Sequence, residues 1–475
     1  MVSSVDGKED YDRATDRFLT WFKDGGGVFQ DDLLEIQDLR AKDAGRGIVA
    51  RKDVPEETTL FTIPRDLIIS QNTSDLPRKL PKVFDTLTDG DADDEADALD
   101  PWTSLILVMM YEYLQGDASR WKPYIDILPT TFDTPIFWSE AELEELKGTC
   151  LSTEKIGKQQ SDDMLRSQCV PVVQQNADVF YPDGAPRLSD EELLALAHRM
   201  GSTIMSYAFD LANEHDEEDE EEDGWVEDRE GTTPLGMVPM ADILNANAEF
   251  NAHVNHGDNL EVTSLRQSLP AGSEVLNYYG PLPTSELLRR YGYVTSEHHR
   301  YDVVELPWSL VRDALIQELV VPEEIVANIE AKLEENDELE EYFIVERDSG
   351  EPDSHGQLTY TPQLREISQE LEEQFQAVLK LLKQDHPELV AEKRKRGEVF
   401  NTVVTKALTA KLAQYPTSIE EDEKLLEGGN LEKRRRMAVE VRVGEKKLLK
   451  EALALLQGGQ DDVEGQAGKK AKRKA

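Results

Sequence analysis

The stretch EVLNYYGPLPTSELLRRYGYV, from Glu274 to Val294, gathers four phenols, Tyr278, Tyr279, Tyr291 and Tyr293, beside Gly280 and Gly292. Ring faces attract cations, and burial among rings disfavours a charged ammonium. A phenol adds a hydroxyl that can orient a neighbouring group. Neighbours on a strand point to opposite faces, so Tyr278 is read as packing behind Tyr279.

Two other stretches carry candidate chemistry. In AGRGIVA, Gly45, Arg46 and Gly47 make a Gly-x-Gly turn that lets backbone approach a ligand closely, or simply a hairpin turn. In MADILNANAEFNAHV, Asp242, Asn245 and Asn251 surround the end of an apolar run. An Asn there offers both donor and acceptor to a ligand, and a helix end or Asx-turn accounts for it equally well. His253 and His256, in HVNH, have no nearby Cys or acidic pattern and read as loop polars, so no metal is expected. No G-x-S-x-G elbow appears, which disfavours a Ser-His-Asp hydrolase.

The elements that must position these residues follow from patterning. A helix-like start, RFLTWFKD, stops at Gly25–Gly27, and the short β-type runs GIVARKDV and TLFTIPRDLIIS follow as a small antiparallel module. An acidic stretch up to Asp100 reads as a loop, after which PWTSLILVMMYEYLQ opens a helical insertion with Pro in the first turn. Ser139 with Glu142 forms a capping box, and Ser189 or Asp190 caps a long amphipathic helix. Residues Asp216 to Asp223 are wholly acidic: a solvated loop, or a docking patch for a lysine-rich partner. Short strands resume from Gly236, and beyond Leu306 the periodicity is helical. The expected borders are 1–100 and 236–305 for the two β-rich segments, 101–235 for the insertion, 306–457 for an all-helical domain and 458–475 for a basic disordered tail. The tail's KKAKRK is either a nuclear address or an ordinary basic terminus.

A chain of 475 residues with formal net charge -45 has room for two or more domains and repels nucleic acid and anionic membranes, whereas a basic partner suits it. Cys150 and Cys169 are too few for a disulfide framework or a cysteine zinc cage. The N-terminus lacks the apolar core of a signal peptide, and the longest greasy run, LILVMMY, is too short to span a bilayer, so the expectation is a soluble intracellular protein.

Taken in order, the Gly-x-Gly strand, the helical insert, ADILN, E-x-x-N-x-YG and LLRRYGYV resemble the SET-domain protein-lysine methyltransferases. The likeness is to the branch of the plant Rubisco large-subunit methyltransferase, most of all to the fungal ribosomal lysine methyltransferase 4 type. It extends to YPTSIEEDEKLL and AVEVRVGEKKLL, similar to that branch's C-terminal substrate-binding helices. The resemblance implies an α+β fold: a β-rich SET domain interrupted by a helical insertion, then a helical substrate-binding domain. It implies S-adenosyl-L-methionine as cofactor, held by Gly45, Arg46, Gly47, Ser206, Asp242, Asn245, Ala246, Tyr279 and Tyr291, with Arg46 acting only through backbone. Ala246 stands where many relatives have His. The resemblance makes Tyr279 catalytic and gives Trp102, Tyr207 and Tyr293 to the substrate, although Trp102 suits a helix-start core position equally. It implies a basic protein partner, foremost a large-subunit ribosomal protein; the net charge argues against a direct nucleic acid or membrane partner, and the KKAKRK tail points to the nucleus, with the cytoplasm as a second compartment. A histone or transcription-factor methyltransferase, or a non-catalytic SET-fold binding module, are the alternatives.

Overall fold

The computed structural model describes residues 3–42, 44–84, 99–211, 234–266, 268–336, 338–389 and 396–471. The Asp216–Asp223 run, most of the first acidic stretch and the last four residues of the basic tail lie outside them. The chain divides into two compact units, one of Met1–Phe132, Gly157–Gly280 and Pro352–Thr359, the other of Asp133–Ile156, Pro281–Glu351 and Tyr360–Ala475.

The first unit begins with α1 (Ser3–Asp24), which stops where Gly26 takes a φ of 90°. Its N-terminal strands are β1 (Val28–Phe29), β2 (Leu34–Asp38), β3 (Arg46–Ala50), β4 (Val54–Pro55), β5 (Thr59–Pro64) and β6 (Ile69–Ser70). Two long helices follow, α2 (Pro101–Leu114) and α3 (Asp190–Tyr207). Asp100 caps α2 by accepting from the Thr103 amide, and Ser189 with Glu192 closes a capping box on α3, satisfying amides that a helix start leaves open. The chain then returns to β7 (Ala208–Asp210), β8 (Leu235–Met237), β9 (Asn245–Ala246), β10 (Ala252–Asn255), β11 (Asn259–Ser264), β12 (Ser268–Leu269) and β13 (Leu276–Asn277).

These strands interleave halves of the sequence that the insertion separates. The four-stranded sheet runs β1-β5-β11-β10, with Val262 opposite Phe61 and Glu261 opposite Thr62. Further pairs are β2-β3, β4-β12 and the three-stranded β6-β8-β7. Alternation drives this: Leu260 and Val262 of β11 are buried and Asn259 and Glu261 exposed, so one face joins the core. That core packs Ile48, Phe61 and Ile63 with Ile106 and Met110 of α2 and Leu196 and Met200 of α3.

The second unit holds α4 (Thr284–Tyr291), β14 (Val303–Pro307), α5 (Trp308–Leu319), α6 (Glu323–Glu334), β15 (Tyr342–Glu346), α7 (Gln369–Asp385), α8 (Arg396–Leu412), α9 (Ile419–Glu427) and α10 (Lys433–Ala471). Its main core joins Val304, Phe343 and Val345 to Val311, Phe375, Val403 and Leu448. In the same unit, Asp422 is fully buried and meets the Arg442 guanidinium at 2.8 Å and the Lys446 ammonium at 2.5 Å, while Arg442 also reaches Glu145 at 2.8 Å.

Three expectations need correction. The region 306–457 is not all-helical: it holds β15, which pairs antiparallel with β14 across the expected border at 306, and an irregular stretch over 347–368. YFIVE alternates buried and exposed positions, the two-residue period of a strand. The block 101–235 does not stay together: residues 133–156 cluster with the second unit because Trp138, Leu146 and Leu151 pack against Leu288, Met437 and Val441. Residues 281–305 also fall in that unit, and α10 continues past the expected border at 457 to Ala471. Among the described residues, no helix is long and apolar enough to cross a membrane.

Candidate active site

The segment Ser273–Tyr279 is held from two sides within the first unit. Val275 donates its amide to Ile48 O at 2.8 Å, and Ala50 donates to Ser273 O at 2.9 Å, so the segment lies along β3. On its other side β13 pairs with β9 in parallel, Leu276 opposite Asn245 and Asn277 opposite Ala246. Asn251 locks the arrangement: its Oδ1 accepts from Leu276 N at 2.9 Å, and its Nδ2 donates to Glu274 O at 2.9 Å. Asn251 is therefore a structural clamp. The three sequence motifs, far apart in the chain, meet here because each supplies backbone partners that the others lack.

Gly45 and Gly47 differ in what their missing side chains permit. A Cβ on Gly47 would lie 2.4 Å from Leu39 Cδ1, 2.7 Å from Glu274 Oε1 and 3.1 Å from Asn245 Nδ2. A Cβ on Gly45 would meet nothing within 4 Å. Asn245 donates through Nδ2 to Arg46 O at 3.2 Å and to Glu274 Oε1 at 2.6 Å, fixing its side-chain amide against the Gly-x-Gly strand. The Arg46 guanidinium turns away toward α1, bonding Thr15 Oγ1 at 2.9 Å and Ile127 O at 3.0 Å and covering the Tyr11 ring at 3.8 Å. Only its backbone faces Asn245.

Asp242 sits in a short 3₁₀ turn after Met240, whose φ of 80° is a strained value for a side chain other than glycine. Its Oδ2 accepts from the Tyr124 hydroxyl at 2.6 Å, while Oδ1 is shut off from solvent and accepts no hydrogen bond among the described residues. Burial pushes this carboxyl up to about 7, against the opposing effect of the Tyr124 hydroxyl. Tyr207, the last residue of α3, has its hydroxyl pushed up to about 12 by burial and by the Asp242 charge. Ser206 beside it is buried.

Tyr279 follows β13 directly after Tyr278, and its hydroxyl donates to Leu244 O at 3.3 Å. Tyr278 stacks on Phe250 with ring centroids 4.7 Å apart, the packing role expected of it. Trp102, in the first turn of α2, is half-buried and lies over Gly201 of α3, where a Cβ would stand 3.2 Å from its ring. Tyr291 and Tyr293 belong to the second unit. They flank Gly292, the left-handed cap of α4 with φ 73°, and their ring centroids are 6.2 Å apart. Burial pushes the Tyr291 hydroxyl up to about 12.

The structure thus brings Gly45, Gly47, Asn245, Ala246 and Tyr279 together around β3, β9 and β13, and links Asp242 with Tyr124. Two participants lacked a role in the sequence reading. Glu274 opens the E-x-x-N pattern and was legible there; Tyr124 comes from the insertion, and no spacing signals its bond to Asp242. Cys150 and Cys169 are buried free thiols.

Residues 326–449 match the family model described as Rubisco LSMT substrate-binding. The chain is 30% identical over 315 residues to ribosomal lysine N-methyltransferase 4 of Saccharomyces cerevisiae, covering 65% of this chain and 60% of that protein. It is 30% identical over 280 residues to the N-lysine methyltransferase SETD6 of Homo sapiens, covering 58% and 53%. The chain therefore spans somewhat over half the length of these curated relatives. The solved SET domain of LSMT bound to lysine and AdoHcy superposes with a TM-score of 0.62 at 21% identity, covering 94% of this chain and 92% of that one. Rubisco LSMT bound to sinefungin and monomethyllysine gives 0.62 at 22% identity, covering 94% and 92%. The fold is LSMT-like: α+β, with a Rubisco LSMT substrate-binding domain toward the C-terminus.

Proposed function

We propose that this chain, one of the LSMT-like SET proteins by its fold and its C-terminal domain, is an S-adenosylmethionine-dependent protein-lysine N-methyltransferase acting on a large-subunit ribosomal protein. The observation that carries this reading is the meeting of β3, β9 and β13, which puts Tyr279 at the end of a strand flanked by the Gly-x-Gly and Asn245 segments. The yeast relative's name supports the ribosomal substrate, and the net charge of -45 suits a basic protein through faster encounter.

The residues present fit the cofactor. Open space at Gly45 allows a close approach to backbone, and Asp242 Oδ1 is an acceptor without a partner among the described residues. Gly45, Gly47, Asn245, Ala246, Asp242 and Ser206, all of the first unit, would hold it, with Arg46 contributing backbone alone. When bound, S-adenosylmethionine supplies an electrophilic methyl on a sulfonium.

The chain's own residues must position a lysine amine and keep it neutral, because an amine with an ordinary pKa of about 10.4 is protonated at neutral pH and has no lone pair to offer. Aromatic walls from Tyr207 and Trp102 would hold the methylene stem and exclude water, which disfavours the ammonium. The Tyr279 hydroxyl orients the amine lone pair. Alignment of this kind supplies up to roughly 7–11 kcal/mol in well-oriented intramolecular reactions.

We place the protein in the nucleus on its KKAKRK tail, with the cytoplasm as the second compartment. Mass spectrometry of ribosomal proteins from cells lacking this chain tests the function. Loss of methylation at one lysine is the expected result, and an unchanged ribosomal pattern with loss on a histone or transcription factor would move the substrate elsewhere.

A further inference from the structure

β14 and β15 form a sheet of two antiparallel strands in the second unit. The free side of β14 is met by Cys150, whose thiol accepts from Glu305 N and donates to Val303 O, both at 3.4 Å. β15 has no strand on its other side among the described residues. Its approaches are tied down: the Gln374 amide bonds Glu340 N at 2.7 Å and Glu340 O at 3.1 Å, and Asp348 and Gln363 exchange backbone hydrogen bonds at 2.9 and 3.0 Å. Between these ties the five residues of β15 present an open edge.

Phe343 and Val345 turn into the core, so Tyr342, Ile344 and Glu346 face outward. Tyr342 at 55% and Ile344 at 37% exposure are two of the five large apolar side chains exposed among the described residues. Natural edge strands are commonly blunted by Lys or Pro, and YFIVE contains neither. Arg365, Glu366, Gln369 and Glu370 line the other side of this groove. Its two arginines are already committed, Arg347 to Glu451 at 2.8 Å and Arg365 to Asp348 at 3.1 Å. Glu340, Glu346, Glu366 and Glu370 have no basic side chain within ion-pair reach among the described residues. Burial and the charge of Glu370 push the Glu346 carboxyl above its ordinary value, a repulsion that a seated cation would relieve.

We propose that the open edge of β15, with Tyr342, Ile344 and its rim of glutamates, docks an extended lysine- or arginine-rich segment of the protein substrate by strand addition. Main-chain hydrogen bonds give affinity, and alternate side chains meet the apolar face and the acids. The identity of the occupant as substrate rests on the methyltransferase reading; the groove's preference for basic extended chain does not.

The test is fluorescence anisotropy with a labelled peptide in which lysine alternates with valine. Wild-type protein is expected to bind it, with affinity falling as salt rises. The double variant Glu346→Lys/Glu370→Lys, exposed enough to keep the fold, is expected to bind about tenfold or more weakly. The equal charge change Glu323→Lys/Glu324→Lys, on α6, is expected to bind as wild type. Equal binding by all three proteins, or equal binding of a glutamate–valine peptide, overturns the proposal. Methyl labelling of a ribosomal protein fraction separates the two readings: a raised KM with unchanged kcat in the β15 variant supports the substrate as occupant. Charge-dependent peptide binding without any labelling by wild type keeps the groove and sinks the methyltransferase.

Discussion

The Asn245 side-chain amide donates to Glu274 at 2.6 Å across the space that the absent Cβ of Gly47 leaves open. Gly47→Ala is therefore expected to force Leu39, Glu274 and Asn245 apart and to destabilise the first unit by about 1–3 kcal/mol, the usual cost of overpacking. Gly45→Ala meets no atom and should change stability by no more than about 0.5 kcal/mol, while weakening S-adenosylmethionine binding by about tenfold or more. Denaturant midpoints and calorimetric titration of both variants check this contrast. Equal stability loss in the two would refute it.

Asp242 gives a pH signature. Its folded value of about 7 lies above the unfolded value of about 3.9, so the folded state holds the proton more tightly. Its contribution to stability is fully present below about pH 4, declines as pH rises toward 7, and is level above that. Asp242→Asn removes this titration. The stability of Asp242→Asn relative to wild type should therefore rise between pH 4 and 7 and then flatten; a difference that is flat throughout contradicts the assignment.

Asp422 is the sole carboxylate within ion-pair reach of the Lys446 ammonium among the described residues, and it also pairs with Arg442. Asp422→Ala leaves two buried cations inadequately compensated and is expected to cost about 3–5 kcal/mol. Lys450→Ala, which removes an exposed pair with Glu420, should cost less than about 1 kcal/mol. Thermal melts of the two variants give the comparison, and similar shifts would count against the burial argument.

Tyr293 packs its ring near Tyr291 beside the α4 cap. If it narrows the lysine channel, Tyr293→Phe should shift the proportions of mono-, di- and trimethyl product while peptide affinity stays within about twofold. Mass spectrometry of the product reads this directly, and an unaltered distribution removes Tyr293 from that role.

The positions most legible in sequence were those with a local cause. Ser139 and Ser189 close the capping boxes that their Glu partners three residues on announce, and Gly26 ends α1 with its positive φ. The motifs AGRGIVA, ADILN and EVLNYYG were legible as a set, although only the fold explains why: Ile48, Asn245 and Leu276 share backbone partners across the chain. Asn251 read as a ligand candidate because its donor and acceptor look identical whether they meet a ligand or, as here, the backbone of residues 274 and 276. Tyr124 and the strand β15 were missed for a different reason. A pairing over more than a hundred residues leaves no periodic trace, and five alternating residues amid long helical repeats are easily absorbed into them.

Transfer of labelled methyl from S-adenosylmethionine to a ribosomal protein fraction, compared between wild type and Tyr279→Phe, tests the central claim most directly. Loss of the hydroxyl removes its bond to Leu244 O, and the fold should stay intact within about 1 kcal/mol. The account predicts label on lysine with wild-type protein and a rate lower by about a hundredfold or more in Tyr279→Phe. Equal labelling by the two proteins, or none by the wild type, would contradict it.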